Sequence, residues 1–168
     1  MGKIDNSTLA GKLEGKFPQT VLRTDELSDM LNVYADRRSN VEIVKYLWDE
    51  PSFQFQFLTD ICGVHYPDRK GEELEVVYHL HSFVNNHRIR LKFSLPIEDP
   101  TIKTLTDLYA GANWMERETF DFYGIIFEGH PNLKRILNVD EMDVFPMRKE
   151  HPLEDPNRID KQDKFFGR

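Results

Sequence analysis

Arg88-Ile89-Arg90-Leu91-Lys92-Phe93-Ser94-Leu95 alternates without a break. Ile89, Leu91, Phe93 and Leu95 fall on one side and Arg88, Arg90, Lys92 and Ser94 on the other, as successive side chains of a strand must. Val76-Val77-Tyr78-His79-Leu80 carries the same β character upstream, and Phe53-Gln54-Phe55-Gln56-Phe57 alternates as strictly. Turn residues separate the three: Pro67-Asp68-Arg69-Lys70-Gly71 and Asn85-Asn86. Together they predict an antiparallel meander with one wet face and one core face. Met30, Val33 and Tyr34 fit a further short strand.

Around this meander the period changes to helical. Asn40 reads as the cap of a helix whose apolar positions are Val41, Val44 and Trp48, and Pro51 ends it. After Pro100, Leu105, Leu108 and Tyr109 predict a short helix stopped by Gly111. Asn113 reads as the N-cap of a second one, Glu116 as the third residue of its capping box and Gly124 as its left-handed end, which puts that helix at about 114–123. The fold class expected is α+β: a helix packed on a mainly antiparallel sheet meander, then two short helices, then an extended C-terminal tail. Residues 1–20 read as a loose segment with a weak helical stretch near Leu9–Phe17. Residues 21–127 read as the α+β domain. Residues 128–168 read as the tail, because Pro131, Pro146, Pro152 and Pro156 interrupt every possible element. The anchors Leu133, Ile136, Leu137, Phe145, Met147, Phe165 and Phe166 predict that the tail lies along a partner, since disordered tails lack such residues.

Composition narrows the function. The chain has 168 residues, 39% of them hydrophobic, enough for one domain with a real core. A net charge of −7 makes it a poor nucleic-acid binder, and the basic pair Arg37-Arg38 is too short to reverse that. Cys62 is the sole cysteine, so no internal disulfide or cysteine cluster can form, and it reads as a small core residue. His79 and His81 stand two apart on a strand, a possible ligand pair; His65, His87, His130 and His151 are scattered, and no HExxH or CxxC spacing supplies further ligands. No apolar run is long enough to span a bilayer, and nothing resembles a signal peptide. The chemistry expected is that of a soluble cytosolic chain whose membrane link comes through a partner. P-loop, GxGxxG and GxSxG motifs are all missing.

The densest chemistry lies in Glu116-Arg117-Glu118-Thr119-Phe120-Asp121-Phe122-Tyr123. On a helical wheel Trp114, Arg117, Glu118 and Asp121 form one stripe, with apolar residues on both sides. Arg117 is expected to reach Asp121 at i+4. Glu118 is left seeking a cation from Lys134, Arg135, Arg148 or Lys149. His130-Pro131 reads as a rigid turn. The acid/base reading of this seam is a small enzyme using Glu116, Glu118 and Asp121. The competing reading is an ion network completed at an interface, in which Arg117 matters more for assembly than for folding of the lone domain.

Glu116-Arg117-Glu118, Asp121-Phe122-Tyr123, His130, Lys134 and Ile136-Leu137, at these spacings, resemble the signature of the 30 kDa subunit family of respiratory complex I, the proton-pumping NADH–quinone oxidoreductase. The likeness extends through Ala112-Asn113-Trp114 and Pro146-Met147-Arg148-Lys149. Glu150 and His151 depart from the family, which often has Asp and an aromatic there. The resemblance implies an α+β member of the hydrophilic peripheral arm that supports electron transfer from NADH to quinone. It implies no cofactor in this chain, with NADH, FMN, iron–sulfur clusters and quinone bound by other subunits. It also implies a peripheral position on the cytoplasmic side of the inner membrane. The partners implied are the 49 kDa-type subunit and its peripheral-arm neighbours, without nucleic acid or a membrane span of its own. The interface expected comprises Trp114, Glu116, Arg117, Glu118, Asp121, His130, Pro131, Lys134, Arg135, Arg148 and Lys149.

Overall fold

The computed structural model describes residues 4–151. The alternating stretch becomes β5 (His87–Leu95), the middle of a five-stranded sheet. β4 (Leu74–Ser82) runs antiparallel to it, with Val76 opposite Phe93 and Tyr78 opposite Leu91. β3 (Phe57–His65) continues the meander as an edge strand. The other half of the sheet is an N-terminal hairpin, β1 (Val21–Leu27) and β2 (Met30–Ala35). Ser28 and Asp29 turn it with φ of 53° and 59°, the paired positive φ that a tight two-residue turn requires. β2 lies parallel to β5, so the sheet order is β1-β2-β5-β4-β3 and the pairing is mixed.

The inner face is the core. Leu31 and Val33 meet Leu74, Val76, Tyr78, Leu80, Ile89, Leu91, Phe93 and Leu95. α2 (Asn40–Asp49) adds Ile43, Val44 and Leu47 to this cluster. So does α1 (Asn6–Lys16), which corrects the expectation of a loose N-terminus. Leu9 and Leu13, one helical turn apart, are fully buried, and Asp5 Oδ1 caps the helix by accepting from the Thr8 N–H at 2.6 Å. Two anchors and a cap outweigh the weak propensity of a Gly- and Lys-rich sequence.

Other local readings are corrected too. The alternating stretch from Phe53 is not a strand until Phe57, where β3 begins. Phe53 and Phe55 are buried, but Gln54 has φ of 49°, and the local carbonyls are taken by side chains: Asn85 Nδ2 donates to Phe53 O and Tyr109 Oη to Phe55 O. Asn40 does not cap α2; its Nδ2 donates to Lys103 O at 2.7 Å. Leu105–Tyr109 forms turns rather than a helix, and a three-residue strand β6 (Thr101–Lys103) precedes it, parallel to β7 (Ile126–Glu128). The second helix is real: α3 (Ala112–Tyr123) ends at Gly124, whose φ is 73° and whose N–H donates to Phe120 O at 2.8 Å.

Residues 129–151 contain no helix or strand, as expected, but they do not extend away. They run back over α3 as a strap, with Met147 N–H donating to Phe122 O and Lys149 N–H to His65 Nδ1. Phe165 and Phe166 lie outside the described residues.

Candidate functional site

α3 sits against edge strand β3 because the contact is stripped of bulk. A Cβ at Gly63 would enter the ring of Tyr123, so only glycine admits the helix this close. At its far end, a Cβ at Gly124 would meet Phe145 at 2.5 Å and Arg148 at 2.7 Å, so the same glycine that ends the helix seats the strap.

The charged seam does not pair within itself. Asp121 is fully buried and gathers five donors from the strap. Its Oδ2 accepts the backbone N–H groups of Ile136 (3.1 Å), Leu137 (2.8 Å) and Asn138 (2.9 Å). Its Oδ1 accepts from Asn138 Nδ2 (3.0 Å) and Arg135 Nη1 (2.8 Å). Burial alone would raise this carboxyl; the Asn138 N–H, the Arg135 guanidinium and the Leu137 N–H outweigh it and hold the group well below the ordinary carboxylate range. Arg135 also donates to Met142 O and Val144 O and packs over Phe145.

Arg117, expected on Asp121, instead donates from Nε to Lys134 O (3.1 Å) and from Nη2 to Arg135 O (3.0 Å). Strap carbonyls compete well here, since a buried guanidinium needs several acceptors and one carboxylate already filled by five donors offers none. Arg148 closes the strap with Nε donating to Tyr123 O at 2.8 Å. His130 Nδ1 accepts from Asn132 N–H and its Nε2 faces Asn113 O, which fixes the turn at Pro131 onto the start of α3.

Glu116 is no capping-box residue. It is fully buried and turns toward the preceding loop, accepting from Leu105 N–H (2.7 Å) and Thr104 Oγ1 (2.5 Å). Burial pushes its carboxyl up to about 7 against the pull of these two donors. Glu118 is exposed, and none of the cations expected to reach it does so. Trp114 is 61% exposed, with Arg117 over its ring. The three acids thus face a loop, the solvent and the strap. An acid/base pair needs two groups on one reacting atom, and Glu116 and Asp121 instead commit their lone pairs to fixed donors.

Asp60, Cys62 and His79 bring ligand atoms within 4.8 Å of one another on the outer sheet face. His79 Nε2 accepts from Arg90 Nε at 2.9 Å, which leaves its proton on the Nδ1 that faces Asp60. The Cys62 thiol donates to Asp60 at 2.8 Å, and burial, then Asp60, pushes it up to about 12. A metal would have to strip both protons and turn His79 against Arg90. His81, the other member of the sequence pair, stacks on Phe83 instead.

The strap's dependence on Asp121 left no trace in the sequence, because a carboxylate receiving consecutive backbone N–H groups has no side-chain code. The roles of Thr104, on Glu116, and of His65, on the end of the strap, are equally invisible there.

Residues 33–157 match the family described as respiratory-chain NADH dehydrogenase, 30 kDa subunit. The chain is 41% identical over 150 residues to the NADH-quinone oxidoreductase C subunit of Roseiflexus castenholzii, covering 89% of this chain and 86% of that one. Its fold is similar to the solved trypsin-resistant fragment (1–134) of Nqo5, with a TM-score of 0.63 and 32% identity over 76% of this chain and 98% of the fragment. A chain of the membrane-bound sulfane sulfur reductase, an archaeal respiratory membrane complex, shares the fold at a TM-score of 0.73 and 19% identity, covering 94% of this chain and 96% of that one.

Proposed function

The chain belongs to the respiratory-chain NADH dehydrogenase 30 kDa subunit family, and on that premise we propose that within the complex it is a cofactor-free packing piece with no chemistry of its own. It is a subunit of a multi-subunit respiratory complex, NADH–quinone oxidoreductase, and among its described residues no helix is long and apolar enough to cross a membrane. In our reading NADH, FMN, iron–sulfur clusters and quinone are bound by other subunits, the main partner is the 49 kDa-type subunit, and the chain docks on the cytoplasmic side of the membrane.

The observation that carries the non-catalytic reading is the state of the α3 seam. Its buried ionised groups, Asp121 and Arg117, are saturated by the domain's own strap, which leaves neither of them aimed at a substrate. The expected interface residues then divide by role. Trp114, Glu118, Pro131, Lys134 and Lys149 are exposed and available to a neighbour. Glu116, Arg117, Asp121, His130, Arg135 and Arg148 hold that surface in shape from behind. Leu137 and Val139, 65% and 63% exposed on the strap, extend it as an apolar ridge of the kind that a partner covers.

The test is purification of the tagged full-length chain from native membranes beside the chain expressed alone. Co-purification with iron–sulfur proteins and NADH oxidation is expected for the first, and a colourless, metal-free chain for the second. Stoichiometric flavin, iron or zinc in the lone chain would overturn the cofactor-free reading.

A further inference from the structure

Beside the strap a groove of about 330 Å³ opens between β3 and α3. Asp60 stands on the strand bank and Glu118 on the helix bank; Cys62, Phe122, Tyr123 and Met147 line the rest. Neither carboxylate has an arginine or lysine partner among the described residues. Asp60 meets only the Cys62 thiol and, at 3.9 Å, His79. The arginines nearest in sequence are engaged elsewhere: Arg117 and Arg135 on strap carbonyls, Arg148 on Tyr123 O. The groove therefore has two negative banks and an aromatic and thioether lining, and the guanidinium closest to Cys62, that of Arg90, is committed to His79 Nε2 and Asn32 Oδ1 rather than to either carboxylate.

We propose that this groove receives an arginine side chain from a neighbouring subunit, an inference that rests on the assignment of the chain to the complex. A guanidinium fits on three counts. Its planar fork of five donors can span carboxylates on opposite banks, its faces stack on rings such as Phe122 and Tyr123, and it is desolvated more readily than an ammonium. A metal ion fits worse, because His79 offers its protonated nitrogen and the thiol holds its proton for Asp60.

Full-length chains carrying Glu118→Gln, Asp60→Asn or Glu118→Arg, expressed in cells lacking the native copy, test this on native gels run across a salt series. The neutral substitutions are expected to weaken retention in the complex by about threefold and the charge reversal by about tenfold or more. Thermal midpoints of the free chains should stay unchanged, since neither carboxylate has an ion pair with Lys or Arg among the described residues. Maleimide labelling of Cys62 should be slower in the assembled complex than in the free chain. Wild-type retention of Glu118→Arg at every salt concentration, or equal labelling in both states, would overturn the proposal. So would faster labelling of the free chain after deletion of residues 152–168, which would make the occupant the chain's own segment. One-to-one zinc binding lost in Cys62→Ser would make it a metal. Failure of the wild-type chain itself to enter the complex would instead strike at the family-based assignment.

Discussion

Asp121 and Glu116 lie on the same helix and both are fully buried, yet their hold on a proton is shifted in opposite directions. Asp121 receives three backbone N–H groups, an amide and a guanidinium, and stays ionised far into acid. Glu116 receives one N–H and one hydroxyl, and burial wins. Desolvation is common to both; the number and charge of the donors decide. One acid is therefore a latch, holding the strap through its charge, whereas the other keeps its proton up to about pH 7 and below that is a neutral hydrogen-bonding wedge at the root of α3.

The contrast breaks most plainly at Asp121. Replacing it with Ala should cost about 3–5 kcal/mol, because Arg135 and three N–H groups lose their acceptor inside the fold. Denaturant unfolding measures the loss, and amide exchange at residues 136–138 should become fast. A cost no larger than that of Glu116→Ala would show that donor count is not what separates the two. Acid should act in the same direction. A depressed folded value means that Asp121 stabilises above its ordinary 3.8 and that the contribution fades as pH falls below it.

Glu116 has the opposite sign. Its folded value of about 7 exceeds the ordinary 4.5, so the folded chain keeps a proton that the unfolded chain has released. Stability is full below about 4.5 and declines as pH rises through 7, by roughly 3 kcal/mol at most. Glu116→Gln, which can still accept from Leu105 N–H, should flatten that slope in a series of melts from pH 4.5 to 8. An unchanged slope would assign it to another group. Arg117→Ala should come next, destabilising the lone domain by about 1–3 kcal/mol through the orphaned carbonyls of Lys134 and Arg135. This reverses the expectation that Arg117 works chiefly in assembly; a lone domain indifferent to the change would restore it. Smallest is Trp114→Ala, about 0.5 kcal/mol in the free domain, where its main loss is a cation–π contact with Arg117. Native-gel retention should respond far more than the melt if Trp114 faces a partner.

What could be read from the sequence follows from how local each cause is. β4, β5, α3 and its Gly124 stop were legible because alternation, helical spacing and a left-handed glycine are all written within a few residues. The Phe53–Phe57 alternation misled because burial of every second side chain needs no ladder: Asn85 and Tyr109, distant in sequence, supply the hydrogen bonds that a neighbouring strand would have made. α1 was underestimated because its periodic signal is two leucines. Within the seam, the residues that matter were named but the pairing was not. Spacing at i+4 made Arg117–Asp121 the natural pair, and only the strap's path shows that each has better partners 14–18 positions further along.

The parallel seating of β2 against β5 bears on how the chain is born. Leu31 pairs with Ile89 and Ala35 with Phe93, partners 58 positions apart. The β1–β2 hairpin therefore leaves the ribosome well before the strand that will cover its flank, and a two-stranded hairpin is marginal in water. At synthesis rates of roughly 5–20 residues per second the delay is roughly 3–12 s. During that interval Leu31 and Val33 face solvent and the hairpin carries an open edge to any other nascent chain. The hazard for this protein is concentrated in its synthesis, where chaperone occupancy of the stretch up to β5 would matter more than any property of the finished sheet.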